Sequence, residues 1–204
     1  MRAPVKLYLA SGNTGKLAEF GVLAATGCRA LPIELELLAG YDGLPQFEEN
    51  APTFAENAAG KALHYSRLRE GQVFADDSGL IVPALGGAPG VHSARYGGPG
   101  ATNAVRIQRL LGEMQGKTGT ERTAYFVCAI ALAEQGRAIA VVTDRVEGDI
   151  LDAPRGLGGF GYDPVFYFRA LGKSFAELSV EQKNHYSHRG KAFRRLLTAL
   201  SSML

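Results

Sequence analysis

The order of strand-like and helix-like segments is the feature that most limits the folds open to this chain. The opening run VKLYLA (5–10) is β-branched and aromatic enough for a strand. A Gly-rich loop follows it, and residues 14–26 then place Leu17, Phe20 and Ala24 at helical spacing. A chain that opens with a strand, a loop and a helix is predicted to build an α/β fold.

The remaining segments keep mixing the two patterns. They are a strictly alternating strand at 33–38, a helix from Thr53 to about Glu70, a strand at 72–82 that ends in or is broken by a DDSG turn, a helix at about 102–115, a hairpin on either side of Gly136, a short strand at 164–168 and a final helix after Ser187. The final helix has one apolar face, formed by Ala192, Phe193, Leu196, Leu197 and Leu200. We therefore predict an α/β protein with a mixed sheet and flanking helices, in a single domain over residues 1–204.

Composition excludes several classes of function. The 22 basic and 20 acidic residues give a net charge of +2, which is too balanced for wrapping a nucleic acid polymer but allows a small anionic ligand. The uncharged stretch at 78–94 is short and contains Pro and Gly, so no membrane span is expected, and the N-terminus lacks the pattern of a signal peptide. Cys28 and Cys128 have no metal-ligand spacing and are expected to be buried thiols. These features predict a cytoplasmic protein.

The loop SGNTGK (11–16) is typical of phosphate binding, because it places a Gly-rich turn and a Lys between a strand and a helix. It is not a Walker P-loop, since Ala10 stands at the position of the first Gly and Leu17 at that of the Ser or Thr. The loop still has three features that favour phosphate binding, which are backbone N–H groups in a tight turn, a helix N-terminus and the Lys16 cation. The alternative is a plain strand-to-helix turn with an exposed Lys.

A second group of charged residues surrounds the helix that begins near Thr53. The side chains of Asn57 and Lys61 are four residues apart and project from one face, and the pair Glu48-Glu49 precedes the helix. A cation and carboxylates are therefore expected to converge at the N-terminal side of this helix. A solvated Lys is the alternative.

Two further carboxylates, Asp76 and Asp77, follow an apolar strand. At a strand end both could face one site, whereas in a continuous strand successive side chains point to opposite faces. Paired carboxylates suit a hard cation such as Mg²⁺, which keeps water ligands and binds substrate phosphates. An ordinary Asp-rich turn is the alternative.

Features near the C-terminus suggest a planar ligand. Gly residues surround Phe160 in the loop 156–161, so the ring could stack on a base while Asp163 or main-chain groups bind the edge of the base. The alternative is that Phe160 is a core aromatic residue.

His188 and Arg189 fall in the first turn of the final helix, where cations oppose the helix dipole. That arrangement suggests an anionic or carbonyl-rich ligand, or solvent exposure.

Taken together, these segments make the chain resemble the inosine triphosphate pyrophosphatase family, which hydrolyses deaminated purine nucleoside triphosphates. The resemblance extends over nearly the whole chain and rests on five ordered blocks. They are SGNTGK (11–16), TFAENAAGKA (53–62), FADDSGLIVPALGGAPGVHSARY (74–96), GGFGYDPVF (158–166) and LSVEQKNHYSHRGKA (178–192).

The resemblance implies Mg²⁺-dependent cleavage between the α- and β-phosphates, an elongated α/β fold with two lobes around a central nucleotide cleft, and a homodimer. It implies Asp77 and Lys16 as catalytic residues, with Asp77 as general base, and Glu49 and Asp77 as metal ligands. The implied substrate-binding residues are Ser11, Gly12, Asn13, Thr14, Gly15, Lys16, Lys61, Ser78, Phe160, Gly161, Tyr162, Asp163, Lys183, His188 and Arg189.

The chain departs from the family pattern in ways that leave alternatives open. Asn50, Ala51 and Pro52 replace the usual sequence before the helix, so the metal ligand could be Glu48 or Glu49. A pyrophosphatase that prefers pyrimidine or methylated nucleotides is one rival function. A non-catalytic nucleotide sensor or RNA-binding module is the other, although the acidic residues of the predicted site would repel a polyanion without metal.

Overall fold

A computed structural model describes residues 4–27 and 32–203, so Cys28 lies outside the described part of the chain. These residues form two compact units. Within the described ranges, unit 1 comprises 4–27, 32–77, 128–144 and 188–203, and unit 2 comprises 78–127 and 145–187. None of the helices in the described ranges is both long and apolar enough to cross a membrane.

Seven strands form one mixed sheet in the order β2-β1-β3-β4-β5-β6-β7. Strand β1 pairs in parallel with β2 and β3, while β6 pairs antiparallel with β5 and β7. The strands are β1 (Val5–Leu9), β2 (Ile33–Leu37), β3 (Gln72–Ile81), β4 (Thr123–Glu134), β5 (Arg137–Ile150), β6 (Phe166–Phe168) and β7 (Lys173–Ser174). The predicted hairpin is β4 and β5, joined by Gln135 and Gly136, which both have positive φ.

Five α-helices occur in the part of the chain that the structure describes. They are α1 (Thr14–Gly27), α2 (Phe54–Ser66), α3 (Asn103–Glu113), α4 (Val180–Tyr186) and α5 (His188–Met203). Thr53 is the N-cap of α2, where its hydroxyl accepts a hydrogen bond from Glu56 N and donates one to the Glu56 carboxylate. The mixed α/β architecture predicted from the sequence is confirmed.

The core of unit 1 follows from the periodicities noted in the sequence. Alternate residues of β1, such as Leu7 and Leu9, are fully buried, and Phe20 of α1 packs edge-on against Phe74 of β3. The predicted apolar face of α5 lies in the same cluster, together with the Cys128 thiol, whose pKa is raised by burial. This core fixes the middle of β3 and the start of α5, which carry Asp76, Asp77 and Arg189.

Unit 2 has its own core around β6. The rings of Phe126, Phe166 and Phe175 pack together, with centroids 4.5 to 5.8 Å apart, and Leu80 and Leu110 complete the cluster. The core holds the Gly-rich loop that precedes β6 at one end of the strand.

Two predicted boundaries were wrong, and one helix was missed. Strand β3 does not end or break at DDSG but continues to Ile81, because the two Asp side chains have polar partners that let them remain in the strand. Helix α2 ends at Ser66, four residues before the predicted Glu70. Helix α4 was not predicted, although Ser179 and Gln182 form a capping box at its start.

Candidate active site

The loop 11–16 is organised by its own side chains. The Ser11 hydroxyl accepts a hydrogen bond from Asn13 N at 3.1 Å, and Asn13 Oδ1 accepts from the N–H groups of Gly15 and Lys16 at 2.9 and 3.2 Å. Thr14 begins α1, and only its backbone is described. Asn13 thus satisfies two of the donors that a helix N-terminus leaves unpaired.

The Lys16 side chain is not an exposed lysine. Its Nζ lies 2.9 Å from Asp76 Oδ1, and the Arg189 guanidinium approaches the same carboxylate, with Nε 3.6 Å from Oδ2. Arg189 also donates to Glu19. Burial opposes ionisation of Asp76, but the two cations hold its pKa below the usual range, and the two carboxylates raise the pKa of Arg189 against its own burial.

Asp77 points to the other side of β3 and belongs to a second cluster. Asn57 Nδ2 donates to Asp77 Oδ2 at 3.0 Å, and the Asn57 amide also bonds both backbone groups of Ala51. Lys61 Nζ lies 2.6 Å from Glu49 Oε1. Burial and then the charge of Glu49 raise the pKa of Asp77 to about 6, although the bond from Asn57 favours the ionised form.

The adjacent residues Glu48 and Glu49 have different environments. Glu49 accepts from Lys61, and together with Tyr41 and Asp76 it raises the pKa of Lys61 against the effect of burial. Glu48 is exposed and accepts from Asn50 Nδ2 at 2.8 Å. The geometry therefore favours Glu49 over Glu48 as the carboxylate that acts with Asp77.

Unit 2 holds the third cluster, in the Gly-rich loop. The buried Asp163 carboxylate accepts from Lys183 Nζ and from Phe160 N through the same oxygen, each at 2.7 Å. Lys183 Nζ also lies 4.6 Å from the centroid of the Phe160 ring, which is partly exposed. A Cβ at Gly159 would lie 2.2 Å from that oxygen, so the turn requires a glycine.

Three other predicted residues of unit 2 are Tyr162, Ser78 and Gly161. Tyr162 is buried and its hydroxyl donates to Ser93 O at 2.9 Å, which anchors the loop to the 90–95 segment. Ser78 is a partly buried residue of β3, and Gly161 adopts positive φ beside Phe160.

The structure brings eight of the sequence-predicted site residues into three groups, which contain Lys16 and Arg189, then Glu49, Lys61 and Asp77, and then Phe160, Asp163 and Lys183. His188 and Arg189 are both buried at the start of α5, so the alternative of solvent exposure is wrong for them. Sequence reasoning missed Glu19, the partner of Arg189, and its helical spacing from Lys16 was the only available signal. It also missed the aromatic residues that pack along α2.

No group of three or more His, Cys, Asp or Glu side chains with metal-binding geometry occurs in the described ranges. The charge of Glu49 nevertheless adds to the effect of burial in raising the pKa of Asp77. Two hard oxygen donors with concentrated negative charge fit a divalent cation such as Mg²⁺, whose other ligands are water and phosphate.

Comparison with known proteins identifies the family. A sequence model described as the Ham1 family matches residues 7–199. This chain belongs to the Ham1 family. Its relatives include a dITP/XTP pyrophosphatase of Geobacillus kaustophilus, 48% identical over 94% of this chain and 92% of that protein. Another is a dITP/XTP pyrophosphatase of Thermus thermophilus, 47% identical over 96% of this chain and 91% of that protein.

A solved structure of a Ham1 protein from Coxiella burnetii has the same fold, with a TM-score of 0.85, 40% sequence identity and coverage of 97% of this chain and 99% of that one. The resemblance inferred from five sequence blocks is therefore confirmed. In this Ham1 protein the side chains of the three clusters described above come from all five of those blocks and from Glu19 and Glu49.

Proposed function

We propose that this Ham1 protein hydrolyses deaminated purine nucleoside triphosphates, namely ITP, dITP and XTP, to the nucleoside monophosphate and pyrophosphate. The observation that carries the proposal is the grouping in unit 1 of two largely buried cations, Lys16 and Lys61, with the carboxylates of Asp77 and Glu49. The named activities of its relatives support the same reaction. Residues 1–204 would act as one pyrophosphatase domain.

The triphosphate is assigned to the first two clusters. Phosphoryl transfer depends mainly on positioning and charge neutralisation, and Lys16 and Lys61 supply positive charge, with main-chain and side-chain donors from residues 11–15. Glu49 and Asp77 would hold Mg²⁺, which when bound neutralises phosphate charge and lowers the pKa of water. Lys16 and Lys61 are each paired with a carboxylate, so the phosphates compete for cations that are already positioned.

Asp77 is assigned the role of general base. A water oxygen attacks the α-phosphorus, the bond from that phosphorus to the bridging oxygen breaks, and pyrophosphate leaves with both electrons of the bond. The water proton passes to an Asp77 oxygen, while Asn57 holds the carboxylate in place by its hydrogen bond at 3.0 Å. Asp76 stays paired with Lys16 and Arg189 and orients the lysine.

The base is assigned to Phe160, Gly161, Tyr162, Asp163 and Lys183 of unit 2, and to His188 and Arg189. The partly exposed Phe160 ring offers a stacking face, and Asp163 fixes the direction of the Lys183 ammonium. Hypoxanthine and xanthine present a carbonyl at position 6, where adenine presents an amino group. A donor held in place to bind the 6-carbonyl would have no acceptor if adenine were bound. The cost of that unpaired donor disfavours ATP.

Replacing Lys183 by Met should reduce the preference for dITP over dATP. Because the donor to the 6-carbonyl is removed and the stem of the side chain is kept, the ratio of the two kcat/KM values should fall roughly tenfold or more. Steady-state rates for both nucleotides measure this. Lys173→Met, at an exposed position of β7, is the control and should leave both rates unchanged. If the Lys183→Met protein is folded and its ratio of kcat/KM for dITP to that for dATP is unchanged, Lys183 does not recognise the base.

We also propose that the protein acts in the cytoplasm, as a homodimer, on free nucleotides and not on nucleic acid polymers. The near-neutral net charge supports the last point. A nucleic acid polymer is bound tightly when many Lys and Arg side chains contact its phosphates and release counterions, and such proteins are usually basic. A preference for pyrimidine or methylated nucleotides is the second candidate, and a panel of triphosphates distinguishes it.

The central test is the product formed from dITP. The protein should release pyrophosphate and dIMP from dITP, ITP and XTP in the presence of Mg²⁺, and chelation with EDTA should abolish the reaction because the clustered carboxylates need the cation. Coupled detection of pyrophosphate and orthophosphate distinguishes the products. Release of orthophosphate alone, or tight binding with no turnover, would contradict the proposal and favour an NTPase or a sensor.

A further inference from the structure

The segment 41–49, which carries Glu49, lies along one side of α2 in unit 1. His64 Nε2 donates to Pro45 O at 2.7 Å, and the Tyr65 hydroxyl accepts from Phe47 N at 3.4 Å. The Lys61 ammonium then binds Glu49 at 2.6 Å. Successive contacts along the helix therefore determine where the Glu49 carboxylate lies.

A glycine on α2 makes room for the central contact. A Cβ at Gly60 would lie 2.5 Å from Phe47 Cζ and 3.1 Å from Cε2, so the ring rests directly against the helix backbone. The ring also lies 5.9 Å from that of His64, one turn farther along the same face. Phe47 is thus confined between a backbone surface and an aromatic side chain.

Phe47 and Glu49 are separated by one residue and both contact α2, whereas the intervening Glu48 is exposed. A shift of the Phe47 ring away from the helix would therefore carry Glu49 away from Lys61. We infer that Phe47, seated on Gly60, is a positioning residue for the Glu49 carboxylate and through it for the divalent cation. This inference rests on the proposed function, in which Glu49 and Asp77 hold that cation.

Gly60→Ala tests the inference with a single methyl group. Alanine favours the helical backbone, so the helix itself should not be weakened, but the methyl must displace the Phe47 ring. We expect the Kd for Mn²⁺ to rise roughly tenfold, as is typical when the support of a metal ligand is lost. Electron paramagnetic resonance measures bound Mn²⁺ in the presence of the α,β-methylene analogue of dITP, which cannot be cleaved at the α–β position.

Two further variants separate positioning from general damage. Gly21→Ala in α1, where an added Cβ meets nothing within 4 Å, should leave the Kd for Mn²⁺ unchanged. Adding Phe47→Leu to Gly60→Ala shortens the side chain that the methyl displaces, and should recover most of the lost affinity. Thermal denaturation of each protein checks that the variants are folded.

The outcomes distinguish the inference from the proposed function. A Kd for Gly60→Ala within twofold of the wild-type value, or losses that simply add in the double variant, would overturn the role of Phe47. A wild-type protein that binds no Mn²⁺ would overturn it as well. Failure of the wild-type protein to release pyrophosphate from dITP would instead refute the proposed function, while the comparison of Mn²⁺ affinities still decides whether Phe47 positions Glu49.

Discussion

Asp77→Asn should lower kcat for dITP by roughly a thousandfold, within the range of 10² to 10⁴ typical of a lost general base. The amide cannot accept the water proton and carries no negative charge for the cation. It has nearly the size of the carboxylate, and its oxygen can still accept the hydrogen bond from Asn57. Packing around β3 should therefore be preserved.

Binding and turnover are measured separately in this experiment. Rapid-quench assays give kcat, and calorimetry gives the Kd of the α,β-methylene analogue of dITP, which should change only a fewfold. The control is Asp144→Asn, which removes another carboxylate of unit 1, one that binds Arg195 at 2.6 Å and lies outside the proposed site. Near-normal turnover of Asp77→Asn would exclude Asp77 as the base, and an equal loss in kcat and in analogue affinity would limit its role to holding the cation and the nucleotide.

The fold was predictable where side-chain periodicity alone decides burial. The apolar face of α5 matches the buried positions, because the pattern is complete within one element. Strand β3 could not be bounded in this way. DDSG has the composition of a turn, and only tertiary partners, Lys16 for Asp76 and Asn57 for Asp77, keep both residues in the strand.

The candidate site was predictable as a set of residues but not as a set of contacts. Sequence spacing placed Asn57 and Lys61 on one face of α2, and the structure adds that they bind Asp77 and Glu49 respectively. No local rule relates Arg189 to Glu19, since the two residues belong to helices at opposite ends of the chain. The contact between the Phe47 ring and Gly60 likewise could not be predicted, because it depends on how a loop without regular structure packs against α2.

Asp76 is the residue whose loss should cost the most stability. Asp76 and Arg189 are only 1% and 3% exposed as side chains, and Asp76 also binds the Lys16 ammonium. Replacing it by Asn keeps the shape but leaves two cations facing a neutral amide, with Glu19 as the remaining carboxylate on Arg189. Removing one partner from a buried ionic network typically costs about 3–5 kcal/mol, because the charges left behind are desolvated and uncompensated.

Urea denaturation of Asp76→Asn and the wild-type protein measures this loss as a difference in the free energy of unfolding. Glu36→Gln is the control, because Glu36 forms an ion pair with Lys6 that is exposed on both sides and should leave the urea midpoint unchanged. Asp76→Asn should also raise KM for dITP, since Lys16 loses the contact that orients it. A decrease in the free energy of unfolding of less than about 1 kcal/mol would contradict this prediction, because it would mean that water or other partners compensate the two cations. The role of Asp76 would then be in substrate binding and not in folding.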